Sequence, residues 1–301
     1  MNGNPQTSAP TSQLTGMAAA MSDYYALAKP SIVWLILMSA VMGCYLAADG
    51  SLLSLPVLHA LLATALLAAG TGALNQWSER DVDARMRRTV SRPIPAGRIQ
   101  PRAALLYAGG LTLAGLAYLL VGVNALCFAL GACTVLTYNF LYTPLKTRTW
   151  WSTAVGAFPG AVPPLMGWAA VRDSVALEVW VLYGILFLWQ FPHFYAIAWM
   201  YREDYGRAGI RMLPVIEATG RATGRQIVAS AALLIPVAMA PAWLGMVEPW
   251  YAVPAFLLGT AYLVCGIRLA RDRRAASAKE LLKASVLYLP VLYLFLLLAK
   301  P

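Results

Sequence analysis

The chain has 301 residues, 60% of them hydrophobic and only 12% charged, with a mean hydropathy of +0.62. A soluble domain of this size carries about 25% charged residues, so most of the surface does not face water and a division into two soluble domains is disfavoured. The net charge of +10 raises the question of a nucleic-acid partner, which the placement of the charges answers below.

Residues 1–22 are polar and small and hold no Lys or Arg. They lack the basic start and apolar core of a secretory signal and the Arg-rich pattern of a transit peptide, and read as a flexible cytoplasmic tail. Met17 and Met21 offer alternative starts. Residues 23–301 read as a single transmembrane domain. Apolar runs lie at 30–48, 54–77, 103–122, 124–142, 152–170, 178–200, 226–246, 250–268 and 281–299. Each is long enough to cross about 30 Å of hydrocarbon as a helix. The expected fold is all-α and polytopic: nine transmembrane helices in one bundle. The weakest division is Gly122-Val123-Asn124. Interior prolines and glycines are compatible with helices here, because neighbouring helices satisfy freed backbone groups. Cys44, Cys127, Cys133 and Cys265 all lie in apolar stretches without a C-x-x-C pair and read as small hydrophobes.

Nine crossings alternate the loops between two sides. All of the 23 Lys and Arg except Arg172 and Lys300 then fall on the side of the N-terminus and of segments 78–102, 143–151, 201–225 and 268–283. This positive-inside bias places those segments in the cytoplasm and the C-terminus outside. The basic charge is thereby accounted for by topology, and no nucleic-acid partner is implied.

In two of the cytoplasmic loops acids stand in clusters with the basic residues. Asn75, Glu79 and Asp83 are four apart, so on a helix they form one stripe with steps of about 6 Å. Acids at the end of a membrane helix are costly, and three oxygen-bearing side chains on one face suit a hard divalent cation. Arg85, Arg87, Arg88, Arg92 and Arg98 follow. Carboxylates and arginines around one concavity suit a metal-bridged diphosphate. The alternative is a solvated helix end with salt bridges such as Asp81–Arg85 or Asp83–Arg87. A second cluster, Tyr201 to Pro214, follows the sixth run on the same side and contains Glu203 and Asp204. Two such loops four helices apart suggest related halves with the site between them. After the fourth run, Tyr142 and Lys146 stand four apart, although Pro144 can bend that path. His193, beside Gln190 and Pro192, lies about 12 Å inside the sixth run. An ionisable residue there is a functional candidate as haem ligand, general base or substrate hydrogen-bond partner, against the plainer reading of a His satisfied by a neighbouring helix. His59, near the outer end of its run, reads as structural.

Asn75-x-x-x-Glu79-x-x-x-Asp83 followed by Met86, Arg88-Thr89, Arg92-Pro93 and Gly97-Arg98 resembles the first signature of the UbiA-type intramembrane prenyltransferases, and within them most closely the haem-farnesylating branch, the haem O synthases. Tyr142-Thr143 with Lys146, Gly160 to Trp168, Trp189 to Phe194, and Asp204-Tyr205 ahead of Met212-Leu213-Pro214-Val215 agree with that branch. The resemblance covers about residues 24–299. It implies a UbiA-type bundle around a central cavity, with Asn75, Glu79, Asp83 and Asp204 as catalytic residues holding Mg2+ on farnesyl diphosphate. It implies Lys29, Arg88, Arg92, Tyr142 and Lys146 as diphosphate-binding positions, and His193 and Gln190 as haem-binding or acid/base residues. The acceptor would be haem B, the setting the lipid bilayer of a bacterial inner membrane, and the receiver of the product a haem A synthase. The second motif departs from the wider family: Ala208 stands where an Asp is usual, Glu203 is the substitute at hand, and the number of metal ions stays open. The rival readings are another aromatic acceptor, 4-hydroxybenzoate or a chlorophyll-type ring, and a non-catalytic transporter.

Overall fold

The structure, a computed structural model, describes residues 10–48 and 54–301. Its helices are α1 (Pro10–Leu27), α2 (Pro30–Ala47), α3 (Leu55–Ser78), α4 (Arg80–Asp83), α5 (Pro101–Gly122), α6 (Ala125–Val135), α7 (Thr143–Leu145), α8 (Ser152–Gly160), α9 (Pro163–Arg172), α10 (Leu177–Met200), α11 (Arg202–Arg207), α12 (Leu213–Ile216), α13 (Arg221–Trp243), α14 (Ala252–Asp272) and α15 (Ala275–Ala299). A π-helical segment, Leu136–Tyr142, joins α6 to α7. Among the described residues nine helical stretches are long and apolar enough to cross a membrane, matching the nine apolar runs.

The tail expected to run to residue 22 is different: α1 is helical from Pro10, through helix-favouring Gln13, Leu14, Met17 and Ala18–Ala20. Residues 1–9 lie outside the described residues. The thin break at 122–124 is a true helix end. Asn124 caps α6, its Oδ1 accepting from Cys127 N at 2.8 Å, while its Nδ2 donates to Ala169 O at 2.8 Å. The fifth crossing is split into α8 and α9 at Ala161-Val162, just ahead of Pro163-Pro164.

Lipid tails give no hydrophobic force between helices, so close backbone packing does the work. α2 and α9 touch through Gly43 and Gly167: a Cβ at Gly43 would overlap Pro164 O, and one at Gly167 would overlap Ala40 O. α3 and α5 meet likewise at Gly70 and Gly115. At one end of the bundle Met86, Ala198, Tyr205, Ala208 and Ile210 gather in a small apolar cluster, which fastens the α4–α5 loop to the α10–α13 loop. The expectation that the two acid-bearing loops lie on one face is met.

Glu217 starts α13. Gly220, at the helix boundary with φ 67°, has no side chain to cap it. Glu217 accepts instead from Ala222 N at 2.6 Å, Thr223 N at 2.9 Å and Thr223 Oγ1 at 3.0 Å. Burial works against its charge, but these donors hold its pKa down at about 2.

Two outcomes follow from this packing. Gly167→Ala should lower the unfolding midpoint in detergent, by overpacking worth about 1–3 kcal/mol. Because the Glu217 pKa is depressed on folding, its cap contributes fully above about pH 4.3 and is lost as pH falls through about 2. The protection of the first-turn amides of α13 against exchange, relative to the intrinsic rate at each pH, should therefore be unchanged between pH 7 and pH 5. Exchange should speed up in Glu217→Ala, by an opening cost lowered about 1 kcal/mol.

Candidate active site

The stripe predicted from Asn75, Glu79 and Asp83 exists. Glu79 N donates to Asn75 O at 2.9 Å and Asp83 N to Glu79 O at 2.7 Å, so α3 passes into α4 with helical spacing kept. Each member meets a cation from another segment. Lys29 Nζ donates to Asn75 Oδ1 at 2.8 Å, Lys146 Nζ to Glu79 Oε1 at 2.5 Å, and Arg92 Nη1 to Asp83 Oδ2 at 2.7 Å. The pairs Asp81–Arg85 and Asp83–Arg87 are not formed among the described residues. Asp81 lies 3.8 Å from Arg80 in solvent, and Asp83, 1% exposed, turns inward to Arg92.

The amide of Asn75 is oriented by its neighbours. Thr143 Oγ1 donates to Tyr138 O at 2.8 Å, so it accepts from Asn75 Nδ2 at 3.1 Å. Asn75 Oδ1 is then left to face Lys29. Lys29 has φ 50° and ψ 58°, a left-handed conformation directly before Pro30, which costs on the order of 1–3 kcal/mol. Gln76 fixes the chain there: its Nε2 donates to Ala26 O at 3.2 Å and Leu27 O at 3.0 Å, the last carbonyls of α1. Gln76 was not singled out from sequence, and Thr143 entered there only within the Tyr142-Thr143 motif. The one available signal was a polar amide and a hydroxyl beside a site residue in an apolar run.

Burial and the adjacent Arg92 lower the Lys29 pKa to about 7, while Glu79 and Asp83 work to raise it. Glu79 is depressed despite its burial, because Lys146 and Lys29 favour its charge. Lys146 is raised: burial opposes its charge but Glu79 outweighs it. For Asp83 burial wins over Arg92 and the pKa is raised. These groups form one mutually coupled cluster. Asp83 Oδ1 is buried with no hydrogen-bond partner among the described residues.

Asp204 joins the second loop to the first. Its Oδ2 accepts from Arg88 N at 3.2 Å and its Oδ1 pairs with Arg207. Burial works against its charge, but the backbone N–H groups of Arg88 and Arg87, with Arg207, lower its pKa. The Arg88 guanidinium lies over the rings of Tyr201 and Tyr205 at 5.1 and 5.6 Å, and donates to Tyr205 OH at 3.0 Å. Arg88 thus ties the loops together. Arg211 N adds a bond to Lys146 O at 2.7 Å. Glu203, the substitute considered for the missing second-motif acid, is exposed; buried Asp204 alone of the two faces the junction, because α11 turns its neighbour outward. Among the described residues no three of His, Cys, Asp and Glu converge as a ready metal cage.

Tyr142 is half-buried and holds Lys146 Nζ 4.5 Å from its ring centroid. Pro144 lies within α7, whose helical turn keeps Tyr142 and Lys146 on one side. A cavity of about 370 Å3 beside Trp77, Glu79, Asn139, Thr143 and Lys146 opens at this end, and one of about 390 Å3 is lined by Lys29, Gln76, Arg92 and Arg98. Gln190 and His193 lie deeper. Gln190 Nε2 donates to Ala157 O at 3.1 Å and Leu186 O at 3.2 Å, so it ties α10 to α8 rather than joining His193. His193 Nδ1 lies 2.7 Å from Ser285 Oγ on α15. His59 is held by Tyr118 OH at 2.7 Å.

Known proteins share the family and the fold of this chain. Residues 36–294 match the UbiA prenyltransferase family. A protoheme IX farnesyltransferase of Solibacter usitatus is 50% identical over 290 residues, covering 93% of this chain and 99% of that one. Another, of Koribacter versatilis, is 41% identical over 293 residues, covering 94% of each. Among solved structures, digeranylgeranylglyceryl phosphate synthase superposes with a TM-score of 0.77 at 15% identity, covering 93% of this chain and 98% of that one. A UbiA homologue from Archaeoglobus fulgidus bound to GPP and Mg2+ gives 0.65 at 18%, covering 91% and 99%. Fold and relatives together define a membrane-embedded prenyltransferase with several membrane crossings. The chain belongs to the UbiA prenyltransferase family.

The buried Lys146–Glu79 pair gives a direct test of the cluster. Lys146→Met should cost about 3 kcal/mol by stranding a buried carboxylate. The double variant Lys146→Met with Glu79→Gln should recover most of the lost unfolding midpoint in detergent.

Proposed function

We propose that the protein transfers a farnesyl group from farnesyl diphosphate to a vinyl group of haem B, with addition of water, giving haem O and diphosphate for the haem-copper oxidases. The observation that carries this is the meeting of two acid-bearing loops, through Arg88 and Asp204, above the stripe of Asn75, Glu79 and Asp83. The farnesyltransferase relatives give the acceptor and the prenyl length.

The donor set suits Mg2+, a hard cation that takes carboxylate and amide oxygens, and the unpartnered Asp83 Oδ1 supports the fit. Asn75, Glu79, Asp83 and Asp204 are the residues that would hold it. When bound, the ion neutralises charge on the departing diphosphate. Lys29, Arg92 and Lys146, each now on a different member of the stripe, are the cations that bind the diphosphate oxygens, and Tyr142 holds Lys146 toward them. Arg88 belongs to this group through the loop junction. Their positive charge stabilises the anion that develops as the C1–O bond breaks. The allylic cation left behind is attacked by the vinyl double bond. Water adds to the new cation and loses a proton, leaving a hydroxyethylfarnesyl group. The apolar helices keep other water from the farnesyl cation. Burial of the fifteen-carbon chain supplies on the order of 10 kcal/mol gross, at about 0.8 kcal/mol per CH2.

The distribution of Lys and Arg sets the loops and the N-terminus in the cytoplasm and the C-terminus in the periplasm of a bacterial inner membrane. The product then passes to a haem A synthase.

Purified protein with farnesyl diphosphate, haem B and Mg2+ should yield a haem of higher mass and hydrophobicity, and chelation should stop it. Glu79→Ala, Asp83→Ala and Asp204→Ala should each lower turnover at least about a hundredfold, with the proteins still inserted. Unchanged turnover in all three removes the metal–diphosphate assignment. Prenylation of 4-hydroxybenzoate but not of haem removes the acceptor.

A further inference from the structure

The first 28 residues of the chain contain one charged side chain, Asp23. α1 sets it on Arg98 of the α4–α5 loop: Arg98 Nε donates to Asp23 Oδ1 at 2.9 Å and to Oδ2 at 3.1 Å. A turn closed on Pro93 places the arginine. Gly97 takes φ 74°, which glycine adopts without strain, and Arg98 N donates to Pro93 O at 2.9 Å. Arg98 Nη2 donates to Ser91 O at 3.0 Å, and Nη1 has no hydrogen-bond partner among the described residues.

Arg98 lines the cavity of about 390 Å3 whose other cations are Lys29 and Arg92, and among the described residues no acid lines it. Most of its donors are unspent. Lys29 uses one ammonium hydrogen, on Asn75, and Arg92 uses only Nη1, on Asp83. The ion pairs differ in how firmly they are made. Asp83 is sealed beneath Arg92, whereas the side chains of Asp23 and Arg98 are 17% and 47% exposed. Both Asp23 oxygens reach the single Nε hydrogen, so the two-pronged fork that a phosphate engages is left unused. An exposed pair of this geometry is weak and readily exchanged.

Three further contacts hold the end of α1 on the bundle. Tyr24 stands edge-on to Tyr107 with ring centroids 5.0 Å apart, Leu27 is buried in a cluster with Ile94 and Ile99, and Gln76 holds Ala26 O and Leu27 O. On the other side of α1 Met17, Met21 and Tyr25 are exposed. Only Ala28 and Lys29 link α1 to α2, and Lys29 is the residue with φ 50°.

We propose that Arg98, with Lys29 and Arg92, forms an oxyanion site for a diphosphate group that is filled at rest by the carboxylate of Asp23, so that α1 is a strap released when the anion takes Arg98. This rests on the reading of the acidic loops as a diphosphate site, and adds to it a cation and a motion. The exchange is one of ion pairs alone. Asp23 passes to water, the anion takes both prongs of the guanidinium, and no covalent bond changes. Because the link is Lys29 itself, already strained and already facing Asn75, the strap and the site share one hinge.

The test uses the full chain in phosphatidylcholine nanodiscs, with Mg2+ throughout. Binding of inorganic diphosphate is measured by calorimetry, and the α1 amides are followed by hydrogen exchange. In wild type the anion should speed α1 exchange about fivefold. Asp23→Asn should exchange at that raised rate without anion, and bind diphosphate about threefold more tightly. Arg98→Gln should also exchange at the raised rate, yet bind diphosphate about tenfold more weakly. Opposite affinity shifts from the two halves of one ion pair are the mark of competition; a bridge that only supports the fold moves both variants the same way, and that result overturns the proposal. Asp81→Asn removes a charge from the same loops without touching α1 and should match wild type in both readings. If it reproduces Asp23→Asn, the effect is one of net charge and the proposal falls. Farnesyl diphosphate should loosen α1 as inorganic diphosphate does; loosening that needs the farnesyl tail overturns recognition of the head group. Loosening by phosphatidylglycerol nanodiscs but not by diphosphate makes the anion a lipid headgroup and overturns it as well. A wild type that binds diphosphate while α1 stays protected loses only the strap. A wild type that binds no diphosphate loses the reading of the acidic loops and the strap with it.

Discussion

A carboxylate taken to the edge of a bilayer has given up water, and it stays charged only if a cation comes with it. The end of this bundle that carries the acids is built around that constraint. Glu79 is met by Lys146, Asp83 by Arg92 and Asp204 by Arg207, while the neutral Asn75 takes Lys29. Three of the cations arrive from other segments: Lys29 from the turn before α2, Arg92 from the α4–α5 loop, and Lys146 from the end of the fourth crossing. The electrostatic requirement of α3 and α4 thus fixes the positions of elements far away in sequence.

Much of this was legible in sequence because it depends on local periodicity. The crossings show as apolar runs, and the stripe of Asn75, Glu79 and Asp83 shows as a four-residue repeat that the backbone preserves from α3 into α4. The common face of the two loops follows from counting crossings. What could not be read were choices made by neighbours in space. Asp83 had Arg87 at helical spacing, yet burial turns it to Arg92. Gln190 looked like a ligand because it is polar and stands beside His193; packing spends its amide on Ala157 and Leu186. Gln76 and Ser285 carry no pattern at all, since each matters only through the residue it orients.

The two halves of the molecule divide the work by chemistry. Hard oxygen donors and cations gather where lipid gives way to water, near the ends of α3, α7 and α11. Aromatic rings and His193 occupy the interior between α10, α14 and α15.

The π segment Leu136–Tyr142 sets how this meeting is aimed. Its wider winding, marked by the bond from Thr143 N to Tyr138 O, accommodates more residues per turn than an α-helix does. It takes up a residue beyond the α-helical turn and delivers the chain past it with Lys146 facing Glu79. The reach of that lysine is a matter of screw pitch as much as of its own chemistry.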